Sequence, residues 1–268
     1  MMGVRMETLL IQQTEKSNKF WKIVVKESDY VVFYGKIGTA GSVKAKEFET
    51  EEECIKEANK LVASKRKKGY TDPCPGEDYI KEKTITEEEF WGLLARAKTK
   101  GEDQEEQIEW LTSHLSKRTV HEIVAFDTHM HHILKASYTS RLWAAAYIIL
   151  GGCSDDCFDY FRGWLLYQGK ETYEACIEDP ERLIHVLENL CEYDVPNIEE
   201  LSLYFGFTVY AEKTGDEEDT YFTLYHVLTD ERAHNDDIEF DWDQDDEEGL
   251  KKMFPKLWEL YGEEPIEW

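Results

Sequence analysis

Long hydrophobic runs, closely paired cysteines and the signatures of the common catalytic folds are all missing from this chain. No apolar stretch among its 268 residues approaches the roughly 18 needed to span a bilayer. The amino-terminus has no basic stretch, apolar core and small-residue cleavage site of the signal-peptide kind. A cytoplasmic protein with no membrane role is therefore expected. The 6 cysteines, at positions 54, 74, 153, 157, 176 and 191, form no CxxC pair, and reduced thiols are the expectation. Cys153 and Cys157 could share a helix face, but two small core residues is the simpler reading. There is no GxSxG, no P-loop, no dinucleotide fingerprint and no HExxH. Neither a cofactor nor a metal is called for.

Basic residues are also scarce, and their distribution is uneven. The net charge is −26, yet residues 1–75 carry +3 and the remainder −29. The break coincides with Pro73-Cys74-Pro75-Gly76, a turn-and-linker composition. Two domains follow from this, at 1–80 and 84–268. With 41% hydrophobic and 13% aromatic residues, both have material for a core.

In the first domain, residues 7–13 alternate weakly, and Lys19–Lys26, Tyr30–Lys36 and Val43–Phe48 read as strands rich in β-branched and aromatic residues. Gly38 and Gly41 bracket a tight connection that calls for positive φ. Thr50 and Glu53 form a capping box for a helix with Ile55, Ala58, Leu61 and Val62 on its apolar side, closed by Lys65–Lys68 before Gly69.

The segment Tyr34-Gly35-Lys36-Ile37-Gly38-Thr39-Ala40-Gly41 resembles the signature of WGR domains, modules found beside the catalytic domains of poly(ADP-ribose) polymerases and in bacterial regulators of the molybdate-metabolism type. The resemblance covers most of residues 5–72 and implies a small antiparallel sheet with one helix against it. Tyr34 stands where that family usually has Trp, and Lys36 where it usually has Arg. In DNA-repair relatives those two side chains face nucleic acid. Tyr keeps a stacking ring, while Lys keeps the charge and loses the planar bidentate fork. The nucleic-acid-binding candidates are Tyr34, Lys36, Lys44, Lys46, Lys65, Arg66, Lys67 and Lys68, with DNA or RNA as ligand. The structural alternative is that helix-terminal lysines complement the dipole and strand lysines form a solvated face.

The second domain reads as mostly α-helical. Helices are predicted from Thr86, over Glu105–Leu115, over Thr119–Ser137, over 141–150 as an all-round apolar central helix, and from Ser154 to Gly169. Residues 201–210 and 220–228 are ambiguous. Their aromatic and β-branched content favours strand, and context favours helix for the first. Ala125-Phe126-Asp127, the 142–147 run and the 151–162 run together resemble an uncharacterised bacterial family, the domain of unknown function four-two-four-zero, over about 84–262. That resemblance implies no activity.

A possible helical-domain site comprises Asp127, Trp143, Asp155, Asp156, Asp159 and Arg162. Asp127 falls on the apolar side of its helix and needs a partner, Arg141 or Arg162, or else caps another helix. Asp155 and Asp159, one turn apart, either complement the helix dipole and pair along the helix or hold a cationic group. His129, His131 and His132 read as an exposed polar face, and 230–248, with 11 acids against one Arg, as a solvated acidic loop.

Three functions compete. The first is a non-enzymatic adaptor or regulator, contacting nucleic acid through the basic domain and a cationic protein through the acidic one. The second is an acidic interaction module or immunity-type inhibitor with no nucleic-acid role. The third is an enzyme built on Asp127, Asp155 and Asp159. The first is favoured.

Overall fold

The computed structural model describes residues 6–190, 195–215, 220–229, 231 and 237–266. Cys191 and part of the 230–248 acidic segment lie outside the described residues. The strands are β1 (Met6–Thr14), β2 (Ser17–Lys26), β3 (Asp29–Lys36) and β4 (Ser42–Glu47). The helices are α1 (Glu51–Lys67), α2 (Glu87–Ala97), α3 (Gln104–Ser116), α4 (Val120–Ser137), α5 (Ser140–Leu150), α6 (Asp155–Tyr167), α7 (Lys170–Glu178), α8 (Leu183–Leu187), α9 (Phe205–Thr214), α10 (Thr220–Thr229), α11 (Glu247–Met253) and α12 (Pro255–Tyr261). A small antiparallel sheet followed by a mostly helical region is thus the architecture.

The chain divides into two compact units, one of residues 1–86, 112–128 and 206–233, the other of 87–111, 129–205 and 234–268. In the first, the sheet runs β1-β2-β3-β4, every pair antiparallel. Register places Trp21 beside Tyr34, Ile23 beside Val32 and Val25 beside Tyr30. These side chains share a core with Leu10, Cys54 and Ala58, so α1 closes this face. Thr50 caps α1 as the spacing predicts, Glu53 N–H donating to Thr50 Oγ1 at 3.3 Å.

The opposite face of the sheet is buried too. Phe20, Val24, Val31 and Phe33 are each 7% exposed or less, and α10 packs across β2, β3 and β4. At roughly 1.5–3 kcal/mol per large apolar side chain buried, these four side chains contribute several kcal/mol. Polar bonds orient the cover. Lys26, 2% exposed, donates Nζ to the His226 carbonyl at 2.8 Å. His226 Nδ1 lies 3.2 Å from Asp29 Oδ2, and Asp29 is the cross-strand partner of Lys26. At the other end of the face the His121 ring stacks on Phe33 at 4.8 Å.

The strand preference read at 220–228 is corrected by α10. Tyr221, Leu224 and Tyr225 recur at helical spacing and are all buried. Their intrinsic β preference gives way to a helix that fits the sheet. Residues 201–210 resolve similarly, with α9 beginning at Phe205.

Asp127 is fully buried in the same unit, and its partners differ from the arginine expected. Its Oδ1 accepts the Gly206 N–H at 3.2 Å, in the first turn of α9, and its Oδ2 accepts the Tyr221 hydroxyl at 2.7 Å. The carboxylate therefore caps one helix and ties down the next. Burial, then the neighbouring Asp127 charge, pushes the Tyr221 phenol well above its ordinary range, so it stays a donor. A Cβ on Gly206 would collide with both Asp127 and Tyr221.

In the second unit, α5 is the buried element the sequence indicates, with Leu142–Ala146 and Ile148–Leu150 buried and Gly151 closing it at φ 66°. Ser154 caps α6 by accepting the Cys157 N–H at 3.2 Å.

Asp127→Ala should lower unfolding stability by about 1–3 kcal/mol, because it strands a buried hydroxyl and a buried N–H. Tyr221→Phe should cost less, and Gly206→Ala at least as much as Asp127→Ala. Urea denaturation of the three variants checks the order.

Candidate nucleic-acid interface

Two glycines bring the signature segment together. Gly41 has φ +74°, and a Cβ there would stand 2.6 Å from the Phe20 ring and 2.7 Å from the Tyr34 carbonyl. A Cβ on Gly35 would meet the Gly41 Cα at 2.7 Å. The turn after β3 thus folds backbone against backbone over Phe20, and only glycine permits it. Gly38 supplies the other positive φ, 83°.

This packing sets the end of β3 beside the start of β2 and the end of α1. The cleft between them is about 570 Å³, and Tyr34, Lys36, Lys65, Tyr70, Lys16 and Lys19 line it. Lys19 and Lys36 are direct cross-strand partners. Like charges so placed repel and cost a few tenths to about 1 kcal/mol. Lys65 stretches over the Trp21 ring at 5.5 Å and the Tyr70 ring at 5.3 Å. Burial, then the charges of Lys68 and Lys19, pull its amine below the usual lysine range. The cleft is a concave cationic site with two aromatic rings at its wall.

Of the sequence candidates, Tyr34, Lys36 and Lys65 converge here. Lys44 and Lys46 share the sheet face of Tyr34, beside Val32 and Tyr30, but stand exposed on edge strand β4 outside the cleft. Lys46 lies over the Phe48 ring at 4.6 Å. Lys67 and Lys68 are exposed at the end of α1 and do not line the cleft. Arg66 makes a two-pronged bond to Asp72, at 2.9 and 2.7 Å, which neutralises its charge locally. Sequence reading passed over Lys16, Lys19 and Tyr70. The signal for Lys19 is the strand register, which faces it with Lys36.

The helical candidates have structural employment. Asp159 pairs with Arg162, whose guanidinium also donates to the Leu134 carbonyl and lies over the Tyr138 and Phe158 rings at 4.7 and 5.2 Å. Burial pulls Arg162 below its ordinary value, only partly offset by Asp159. Trp143 donates Nε1 to the Cys153 carbonyl at 2.9 Å and stacks on Phe158 at 4.6 Å. Asp155 and Asp156 occupy the exposed first turn of α6, where the dipole favours them. His131 is buried rather than exposed, its Nε2 3.1 Å from the Leu203 carbonyl.

With this geometry, the comparisons define the class. Residues 6–77 match the model of the WGR domain, and residues 85–212 match that of Protein of unknown function (DUF4240), so a WGR domain followed by a DUF4240 region is what this chain contains. WGR domains are of a nucleic-acid-binding type. Over 67 residues the chain is 49% identical to Uncharacterized protein YfeS of Escherichia coli (strain K12), which covers 25% of this chain and 28% of that protein. The chain thus spans little more than a quarter of that relative. A crystal structure of a Bacteroides fragilis protein is 31% identical, covering 37% of this chain and 30% of its own, with a TM-score of 0.26. Among the described residues no helix is long and apolar enough to cross a membrane.

Replacing Lys19 with Gln should raise unfolding stability by about 0.2–1 kcal/mol at low salt, by relieving repulsion with Lys36. The gain should shrink as salt screens the pair. An unchanged denaturation midpoint would show that the opposed lysines carry no charge strain.

Proposed function

We propose that this protein is a non-enzymatic adaptor whose WGR domain contacts the phosphate backbone of DNA or RNA at the lysine cleft. The observation that carries this reading is the direct opposition of Lys19 and Lys36 at the mouth of a concave site that also holds Lys65, Tyr34 and Tyr70. A folded chain gains nothing by itself from facing two ammonium groups, and a phosphate between them turns the repulsion into attraction. The rings offer a face to a sugar or base. Lys44 and Lys46 extend the surface along β4, Lys67 and Lys68 along the end of α1. Arg66 contributes less, since Asp72 holds it.

The other half of the proposed adaptor is the acidic segment 237–248. All eight of its Asp and Glu residues are exposed, and Phe240 among them is 52% exposed. An acidic stretch with a half-exposed aromatic ring, packed on Trp143 and Trp242, suits a cationic protein partner. Among the described residues, two of the carboxylates offered for an enzyme are engaged elsewhere. Asp127 and Asp159 are committed to a helix cap and an ion pair.

Titration of the full chain with fluorescently labelled duplex and single-stranded DNA and RNA tests the cleft. Affinity should fall with salt with a log–log slope of roughly −3 if about four phosphates are contacted. The triple variant Lys19→Glu, Lys36→Glu, Lys65→Glu should lose binding, and Lys44→Glu with Lys46→Glu should weaken it less. Equal binding by wild type and triple variant would remove the cleft from the reading.

A further inference from the structure

The second unit contains a larger cleft unrelated to the lysine site. It is about 960 Å³, a volume suited to a small organic molecule. Its wall is formed by the residues after α2, the first turn of α3, the end of α6, α7, and α8 with the turns on either side of it. Trp164 and Tyr167, 1% and 3% exposed, lie at its base, with Val186 and Leu190 alongside.

Lys98 is the unusual member. It follows α2, its N–H bonded to the Leu94 carbonyl at 3.3 Å, and its ammonium stands 4.9 Å from the centre of the Tyr167 ring. The Tyr167 hydroxyl donates away from it, to Gln107 Oε1 at 2.9 Å. Among the described residues no carboxylate pairs with Lys98. Glu102, Asp103 and Glu171 line the same cleft, but none forms an ion pair with it. Lys98 is half-buried, and a cation partly withdrawn from water is ordinarily paired. Here burial alone acts on the amine and lowers its pKa, with no opposing charge to restore it. Arg182 adds a second cation, a guanidinium, to the lining, its Nε 4.0 Å from an Asp179 carboxylate oxygen.

We propose that this cleft binds a small molecule bearing an oxyanion, a carboxylate or phosphate monoester, with the charged group on Lys98 and an apolar or planar body along Trp164, Tyr167 and Val186. The anion supplies the missing counter-charge. Tyr167 fixes the amine from the other side through its ring face. The site needs no chemistry of its own and would make the helical region a sensor or carrier of such a molecule.

The test uses the full chain and two probes, phenyl phosphate and benzoate, titrated by calorimetry against wild type, Lys98→Met and Lys98→Arg, with circular dichroism checking the fold. Saturable binding of either probe is expected, weakened about tenfold or more in Lys98→Met and largely kept in Lys98→Arg. Binding of phenyl phosphate alone assigns the phosphate source, and of benzoate alone the carboxylate source. No saturation with either probe, or equal binding by Lys98→Met, overturns the proposal. Should Lys98→Met fail to fold, acetylation of wild-type lysines by acetic anhydride, read by mass spectrometry, replaces it. Protection of Lys98 by a probe supports the site, and unchanged labelling refutes it.

Discussion

Burial of the β2–β3 hairpin on both faces is the constraint on which the amino-terminal unit rests. A sheet covered on one side alternates apolar and polar residues. Here Ile23, Val24 and Val25, and across the turn Tyr30, Val31, Val32 and Phe33, are buried in succession. Such a hairpin cannot face water, so α10 is as necessary to it as α1. Apolar contact alone does not fix how a helix sits, because it is non-directional. The Lys26 bond to the His226 carbonyl and the His226–Asp29 contact supply direction, at the cost of placing charge where little water reaches.

That arrangement also frames the lysine cleft. β3 is packed between helices on two sides, and the signature turn leaves its end through Gly35 and Gly41, packed against Phe20. Phe20 belongs to the face away from α1, while Tyr34 belongs to the face beneath it. The same strand end therefore anchors in one core and presents a ring and Lys36 from the other side. A binding surface on such a support is preorganised, and less binding energy is spent on ordering side chains. The tolerated opposition of Lys19 and Lys36 belongs to the same logic, a small stability cost kept at a site that meets anions.

Much of the fold is legible in the sequence. The strands, α1 with its Thr50 cap, the apolar α5 and the Ser154-capped α6 all follow from patterns a few residues long, where local preference and burial agree. The segment 220–228 is ambiguous in the sequence because its Tyr, Phe, Thr and Val residues prefer strands in isolation, and only the sheet it covers makes the helical spacing of Tyr221, Leu224 and Tyr225 decisive. Asp127 was identified as a carboxylate in need of a partner. That the partners are the Gly206 N–H and the Tyr221 hydroxyl, 79 and 94 residues away, is beyond any local rule.

The candidate site divides along the same line. The sequence by itself determined the residue types of the signature, the need for glycine in its turn and the basic end of α1, since each depends on neighbours in the chain. Only the tertiary structure decided which lysines act together. Register opposes Lys19 to Lys36, the return of α1 carries Lys65 to them, Asp72 withdraws Arg66, and Lys44 and Lys46 are left on an outer strand. Charge–charge coupling falls steeply with distance and strengthens where burial removes screening water. Those distances are set by contacts between segments far apart in the chain, so composition could count the lysines but could not group them.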